Sequence, residues 1–591
     1  MINEKTYLEK IESYKKVESS LTSRSRIYLL GKIISFTLIV VFGWMAIQDY
    51  SAVYIFNVFI FGCTYLFSYI ADEKCMTKIE SCRAMQRVCR NEIKYLHGDF
   101  SPFANGENYI NPNHEFSYDL DIFGNSSLYN RINRTVTQEG SNRLAQKLST
   151  VGNDKAGILK NQGAITELAN MPDFRIKLMA NPYIKSNLDA LSELFDKDGF
   201  KNVFIRTALP YIISGITLLS LILNIAGILP IGAFVFLFIL QLIITAVVNK
   251  FSLKTGSQTE MLHKEFGGYM RILSEISKND FKSEKLKDIK QSLFSDDSNS
   301  LDAFHKLARI INLFDQRGNA VMYILLNGLF LFDILVVKMF VKWGEKYLPH
   351  VHKWIDSIAE IDALTSLATY AYNNPENSYG EVLDGDSEYV FEGVNVSHPF
   401  IPQDKAVPNS FSLKKKNISI VTGANMAGKS TFLRTVGITY ILASNGAPVC
   451  AESFKFSLIT LFSSMRTTDD LSNDISYFNA ELLRLKKLIQ HVKSNHFTLI
   501  ILDEILKGTN SQDKLKGSIM FLEEISKFDM AAVIATHDLE LAKLEEQSPI
   551  YSNYRFEIEL SEDIKYTYKI QKGVAQNLNA TFLLSNILKS I

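Results

Sequence analysis

Excess charge of either sign is missing from this chain. Lys and Arg number 63, Asp and Glu also 63, so the formal net charge is zero. That balance gives no global pull toward nucleic-acid phosphates, unlike a strongly basic domain. Only local patches remain. The densest, Lys414-Lys415-Lys416, reads as a solvated turn. Cysteine is scarce as well: 5 copies with no metal-ligand spacing. Cys75, Cys82 and Cys89 recur every seventh residue, which suits one helix face with reduced thiols better than disulfides. Asp119-Leu120-Asp121 has no convergent ligands and reads as a cap or turn, not a metal site. There is no low-complexity tail and no short internal repeat, and 591 residues are enough for about three or four domains with real cores.

What is present begins at Gly423. Gly423, Ala424, Asn425, Met426, Ala427, Gly428, Lys429 and Ser430 form a complete G-x-x-x-x-G-K-[ST] loop. The two glycines let backbone approach a phosphate without a Cβ in the way. The loop N–H groups and the following helix N-terminus make an anion site. Lys429 would reach the β- and γ-phosphates of ATP, and the Ser430 hydroxyl would sit on Mg²⁺. An apolar run, Ile418 to Thr422, precedes the loop as a strand, and a helix-like run, Thr431 to Leu442, follows it. Leu499 to Leu502 reads as a buried strand ending in Asp503 and Glu504. Asp503 would hold the same metal, and Glu504 would orient and polarise the attacking water. Ala531 to Ala535 is one more apolar strand, ending at Thr536 and His537. His537 would sense the γ-phosphate, although a strand-end histidine also serves as an ordinary structural residue.

Around these motifs the sequence resembles the MutS family. Thr422 to Thr431 is similar to that family's T-G-P-N-M-x-G-K-S-T loop, and Asp503 to Asp513 to its D-E-x-x-x-G-T-x-x-x-D segment. Asp469, Asp470 and Leu471, followed by Ser476, Phe478 and Glu481, resemble its signature loop. Ala535-Thr536-His537 and His398-Pro399 match short motifs. Ala359 to Ala368 looks like the helix joining lever to ATPase. Asn133 to Thr137, with Gly140 and Leu144, looks like the start of the family's core. The resemblance implies an α/β ABC-type P-loop ATPase domain at the C-terminus, preceded by an all-α core and lever. It implies a homodimer through the ATPase domains, with ATP and Mg²⁺ sandwiched between one subunit's loop and Ser476 of the other. Asp474 stands where the family has Gly, and Ala406 where an aromatic stacks on adenine. Adenine binding is then either looser or uses another side chain such as Phe400. The family's mismatch-reading domain with its Phe-x-Glu wedge is not found in residues 1–100, nor is a connector domain.

Apolar runs stand there instead. Tyr28 to Ile47, with one charge at Lys32, and Val53 to Ala71 are each long enough for a bilayer span of about 20 residues. Thr207 to Ile225 and Ile228 to Val248 form a second pair, joined by Ala226-Gly227. Trp44, Tyr50 and Tyr54 lie near the first tip, as interfacial aromatics do. Lys15, Lys16, Arg24 and Arg26 precede the first hairpin and Lys74, Lys78, Arg83 and Arg87 follow it. Arg206 precedes the second, and Lys250 and Lys254 follow it. Neither tip carries Lys or Arg. The positive-inside rule then predicts four spans in a bacterial-type cytoplasmic membrane, with the ATPase domain and both termini in the cytoplasm. The first run starts too late, and is followed too closely by the second, for a cleaved signal peptide. A fifth stretch, Ala320 to Val341, contains Asn327, Asp333 and Lys338, and the resemblance assigns it to the buried lever.

The expected organisation is an N-terminal helix (1–26), a transmembrane hairpin (27–71), a helical core (72–205), a second hairpin in the clamp's place (206–249), a helical lever (250–375) and the ATPase domain (376–591). The lipid bilayer is an expected partner, and no small-molecule substrate beyond ATP is implied. DNA as a partner stays open. Family descent favours a DNA-repair-like role. The replaced clamp and zero net charge favour an ATP-driven membrane machine or scaffold.

Overall fold

The computed structural model describes residues 2–185, 207–252, 256–295, 298–315, 320–466, 477–494, 497–507, 511–560 and 564–576. The chain divides into two compact units: Met1–Pro102 with Met171–Ile184, and Phe103–Asn170 with Lys185–Ile591.

The first unit is dominated by two helices, α1 (Ile2–Asp49) and α2 (Ala52–Leu96), joined by Tyr50 and Ser51. They run antiparallel, as the pairs Glu18–Arg83 (2.7 Å), Lys32–Asp72 (2.6 Å) and Glu4–His97 (3.1 Å) require. At 1.5 Å per residue each is about 70 Å long, more than twice a hydrocarbon core. Both are long and apolar enough to cross a membrane. Their apolar stretch is turned outward: Phe36, Trp44, Ile47 and Phe59 all keep more than half of their surface exposed. Lys32, the one charge in the first run, meets Asp72, which also accepts from Ser25 Oγ. Cys82 and Cys89 lie buried on one face of α2, with Cys75 half-buried on the same line.

In the second unit, after a short helix at Leu128–Ile132, come α3 (Gln138–Leu148) and α4 (Lys155–Ala169). Two apolar helices follow, α5 (Leu209–Ile225) and α6 (Ile231–Ser252). Their apolar parts are 17 residues or shorter, less than the length that marks α1 and α2 as membrane-crossing. Next come α7 (Gly256–Lys278), α8 (Glu284–Leu293), α9 (Ser300–Asp315), α10 (Ala320–Phe330) and α11 (Phe332–Asn373). The stretch assigned to one buried lever helix is therefore two helices, bent by 76° at Leu331. Leu331 takes a left-handed φ of 49°. The break is closed by Asn327, whose side chain accepts from Asp333 N at 2.9 Å and so caps the start of α11.

The far half of α11 is the axis of the helical region. Residues from Ile358 to Tyr370 are buried without interruption, against α3, α4, α8 and α9. Asp362 lies at its centre, fully buried. Its carboxylate accepts from Val136 N (3.1 Å), Thr137 N (2.9 Å) and Thr137 Oγ1 (2.7 Å). Arg134 N donates to Ser366 Oγ one turn on (3.0 Å). Two segments 225 residues apart are thus joined. Gly140 permits this approach, since a Cβ there would fall 2.2 Å from Asp362 Oδ2. Two residues before Asp362, Glu360 gathers Lys147 (2.9 Å) and Lys285 (3.2 Å). Burial pushes its carboxyl up, but the two ammonium groups outweigh burial and leave it below its usual range.

The C-terminal half carries a six-stranded sheet, a four-stranded sheet and a short two-stranded ladder of Ser378–Tyr379 with Pro448–Val449. Its longer strands are β1 (Tyr389–Val396), β2 (Asn409–Lys414), β3 (Ile418–Gly423), β4 (Ser453–Phe456), β5 (Thr460–Ser464), β6 (Thr498–Asp503), β7 (Met530–Thr536), β8 (Tyr551–Leu560) and β9 (Ile564–Lys572). The larger sheet has the order β5-β6-β7-β3-β8-β9, parallel except for β9. The four-stranded sheet pairs β4, β1 and β2 in antiparallel fashion, and its edge strand Glu381–Val382 lies parallel to β4. Strands β3, β6 and β7 are buried on both faces, which is why they read as unbroken apolar runs. Ile418, Ile420, Ile500, Leu502 and Ile534 pack with residues of two helices, α13 (Tyr477–Ser494) and α14 (Ser511–Ile525). Helix α12 (Lys429–Ser444) also packs on β6 and β7.

Burial pushes the Asp362 carboxyl up to about 7, against the donors from Thr137 and Val136 that pull it down. A carboxyl raised above its unfolded value contributes stability that is full below about pH 4 and lost as pH rises through about 7. Thermal unfolding of wild type should therefore fall relative to Asp362→Asn between pH 5 and pH 8. A constant difference across that range would remove the titration from Asp362.

Candidate functional site

Parallel register brings three strand ends into one row. Asp503 pairs with Ala535 and Ala535 with Val421, so β6, β7 and β3 finish at the same edge. Beyond β3 the chain turns through Gly423 (φ 155°), Met426 (φ 66°) and Gly428 (φ 106°) and enters α12 at Lys429. Gly428 is needed twice over. Its φ is left-handed, and a Cβ would come 3.1 Å from the Tyr568 ring.

The Lys429 ammonium is buried, and it lies across its own loop. It donates to the carbonyls of Gly423 (2.8 Å) and Ala424 (2.9 Å), and approaches His537 Nδ1 at 3.4 Å. Burial pulls it down to about 8, although Asp503 and Glu504 oppose the fall. His537 is wedged between two acceptors, the Gly423 carbonyl at Nδ1 (3.1 Å) and the Glu504 carboxylate at Nε2 (3.1 Å). Burial first, then Lys429, hold its pKa below the usual histidine value, with Glu504 pulling the other way. A neutral ring carries one proton for these two acceptors. Glu504 has a left-handed φ of 62°, a strained conformation for a side chain at a strand end. Its N–H donates to Ala535 O at 2.9 Å, and its other carboxylate oxygen meets Lys514 at 3.4 Å.

A cleft of about 450 Å³ opens over the loop. Asn425, Met426, Gly428, Lys429, Ser430, Thr431, Asp503 and His537 line it, so most of the predicted residues share one cavity. Gly423, Ala424 and Ala427 are buried beneath it, and Glu504 stands beside it through His537. The hydroxyl of Ser430 and the carboxylate of Asp503 are the hard oxygen donors that suit Mg²⁺ bound together with phosphates and water. Among the described residues no group of three or more His, Cys, Asp or Glu could hold a metal without such help. Ser476 and Asp474 lie outside the described residues. Of the same signature, Phe478 is exposed and Glu481 is buried, its carboxylate accepting from Lys507 N at 3.1 Å.

The cleft is also lined by Lys405 and Ala406, and its phenyl and phenol rings are those of Phe432, Phe556 and Tyr568. Phe400 does not line it: its ring lies under the Arg131 guanidinium at 4.5 Å and edge-on to His398. Tyr568 comes from β9, 140 residues beyond the loop, and no motif announces it. Its carbonyl accepts from Asn409 Nδ2 at 3.0 Å. The fixing of His398 is likewise tertiary. It is buried near Arg434 and Arg131, and burial lowers it to about 4, so it stays neutral.

Asp119 and Asp121 do more than make a turn. Asp119, fully buried, accepts from Ser463 Oγ (2.8 Å), Arg466 N (2.8 Å) and Arg484 (3.3 Å). Asp121 grips the Arg466 guanidinium with both oxygens (2.6 and 2.8 Å). These acids hold the end of β5 to the helical region and are fully engaged with arginines and a serine. The Lys414–Lys416 run is a turn with local partners: Glu388 for Lys414, the Gly385 carbonyl for Lys415 and Asp529 for Lys416.

Comparison with known proteins points the same way. The family profile described as MutS domain V matches residues 419–581. A protein named DNA mismatch repair protein MutS from Acetivibrio thermocellus is 34% identical over 227 residues, 37% of this chain and 26% of that protein. Proteins of the same name from Caldicellulosiruptor bescii (32% over 237 residues, 39% and 27%) and Aquifex pyrophilus (32% over 225 residues, 37% and 26%) are similar in extent. The chain thus spans about a quarter of the length of these relatives. Residues 419–581, with their loop, strand-end acids and histidine in register, thus match MutS domain V, and it is in this C-terminal part that the chain is similar to MutS proteins.

Proposed function

We propose that this protein is a membrane-anchored ATPase that works as a homodimer through its C-terminal domains. The observation that carries the reading is the convergence of Lys429, Ser430, Asp503 and His537 on one cleft above a glycine-turned loop. Residues 423–431 cradle the phosphates of ATP, with Lys429 exchanging the Gly423 and Ala424 carbonyls for phosphate oxygens. Ser430 and Asp503 would hold Mg²⁺, which would supply neutralisation of phosphate charge. Glu504 positions and polarises the attacking water, and His537 holds Glu504 in place beside the γ-phosphate. Ser476 of the partner subunit completes the site. The Tyr568 ring, rather than Phe400, supplies the face for adenine. The outward-facing apolar residues of α1 and α2 support the anchor. Lys and Arg at the open ends of both apolar hairpins support four spans with the ATPase domain in the cytoplasm.

The relatives are named for DNA mismatch repair, and on that ground a DNA-linked output is the first reading. A second, lever motion coupled to the membrane with no DNA role, is favoured by α5 and α6. They stand between helical segments of the same unit and present apolar side chains outward.

Glu504→Ala should keep ATP binding and slow hydrolysis by about a hundredfold or more, the scale of a general-base or water-positioning group. Unchanged turnover would take Glu504 out of that role. Lys429 starts from a depressed pKa and must be charged when phosphate is bound. ATP affinity should therefore be flat below pH 8 and fall by about tenfold per pH unit above it. A fluorescent-nucleotide titration from pH 7 to 9.5 reads this. Tyr568→Ala should weaken binding at every pH without moving the break, and an unbroken pH profile would count against Lys429 as the phosphate ligand. For the output, turnover in lipid nanodiscs is measured with homoduplex, mismatched and four-way-junction DNA at one near-physiological salt concentration, because weak cationic binding depends steeply on salt. Stimulation that depends on DNA structure supports the first reading. Robust turnover indifferent to DNA supports the second.

A further inference from the structure

Helices α5, α6 and α10 pack together, and their polarity is inverted. The buried residues of α5 are Pro210, Ser214, Thr217 and Ser220. In α6, Gln241 and Thr245 are completely buried, and Gln241 Nε2 donates to Thr217 Oγ1. The outer surface is the reverse. Ile216, Leu219 and Ile222 of α5 and Phe236 and Ile243 of α6 are each half or more exposed. In water the hydrophobic effect drives the opposite sorting. Polar residues between helices with large aliphatic residues outside is the arrangement that hydrocarbon solvent favours.

Helix α10 shares this inversion. Its Asn327 is buried, bonded to Tyr323 O and Asp333 N, while Val321, Ile324 and Leu325 face outward. No residue from Ala320 to Phe332 is charged. The helix is also seated tightly on the pair: a Cβ at Gly328 would lie 2.3 Å from the Phe238 ring. Just past the bend, the Lys338 ammonium donates to Thr207 O and lies 4.7 Å over the Tyr211 ring, so α11 returns to the start of α5. With 11 residues α10 is about 16 Å long, roughly half of a hydrocarbon core.

We infer that α10 is a third membrane element of this unit, a short helix that enters the bilayer beside α5 and α6 without crossing it, its Val321, Ile324 and Leu325 face covered by lipid acyl chains. The inference rests on the reading of α5 and α6 as a membrane hairpin and extends it to a stretch that charge and family likeness had assigned to a buried lever. It also gives the bend at Leu331 a role: ATP-dependent movement of α11 would reach the bilayer through the Asn327 cap and the Lys338 contact.

The test uses the full-length protein in phosphatidylglycerol–phosphatidylcholine nanodiscs. A nitroxide is attached to an encoded ketone residue, so the native cysteines stay, at Ile324 or Leu325 in α10, at Phe236 in α6, or at Asp386 as a water-exposed control. Collision with dissolved oxygen and with a water-soluble nickel chelate is read at each. The expected result is loss of nickel broadening at Ile324, Leu325 and Phe236 and its retention at Asp386. Nickel access at Ile324 and Leu325 equal to that at Asp386, with Phe236 protected, overturns the inference and leaves the hairpin standing. Nickel access at Phe236 as well overturns both.

Discussion

Everything chemical in this molecule depends on the parallel pairing of β3, β7 and β6. A parallel ladder with both faces buried fixes register firmly, because a slip of one residue would turn every side chain to the opposite face. Here the pairs Asp503–Ala535 and Ala535–Val421 set the ends level. What protrudes past the edge is then dictated: the glycine turn after β3, the acids after β6 and the histidine after β7. The Glu504–His537 contact follows from that alignment rather than from any local preference.

The helical region solves a different problem. It must join segments far apart in sequence without a sheet ladder to align them. Asp362 does this with a buried carboxylate that satisfies three donors from residues 136 and 137, groups that would otherwise be buried without partners. Asp119 and Asp121 do the same at the border with the sheet, where Arg466 and Arg484 are held by fixed oxygens. Arg466 is the last described residue before the signature segment. Arg466 is thus held by an acid 345 residues earlier in the chain.

Two kinds of solvent are written into one chain. In strands β3, β6 and β7 the buried residues are mostly aliphatic. In α5, α6 and α10 the buried residues are Ser, Thr, Gln and Asn, and the aliphatics face out. The bend at Leu331 lies where one regime gives way to the other, and α11 runs from there to the Asp362 joint. One helix thus connects an apolar-faced bundle to the region that abuts the ATPase sheet.

Sequence alone determined what is local and periodic. The spacing of Gly423, Gly428 and Lys429 defines a phosphate loop, because backbone freedom and charge are needed at those positions whatever surrounds them. Unbroken apolar runs gave β3, β6 and β7, since strands buried on both faces cannot alternate. The length of Tyr28 to Ile47 and Val53 to Ala71 gave α1 and α2. Tertiary structure decided whatever needs two distant segments. Tyr568 reaches Gly428 from 140 residues away, and Phe400 is turned aside under Arg131. The acids of 119 and 121 find their arginines only when β5 is in place. The single lever read from Ala320 to Val341 is split because the Asn327 side chain caps a new helix at Asp333, a hydrogen bond that hydropathy does not register. Periodicity reports which face of an element avoids water. It does not report which partner meets that face, and each of these features is a choice of partner.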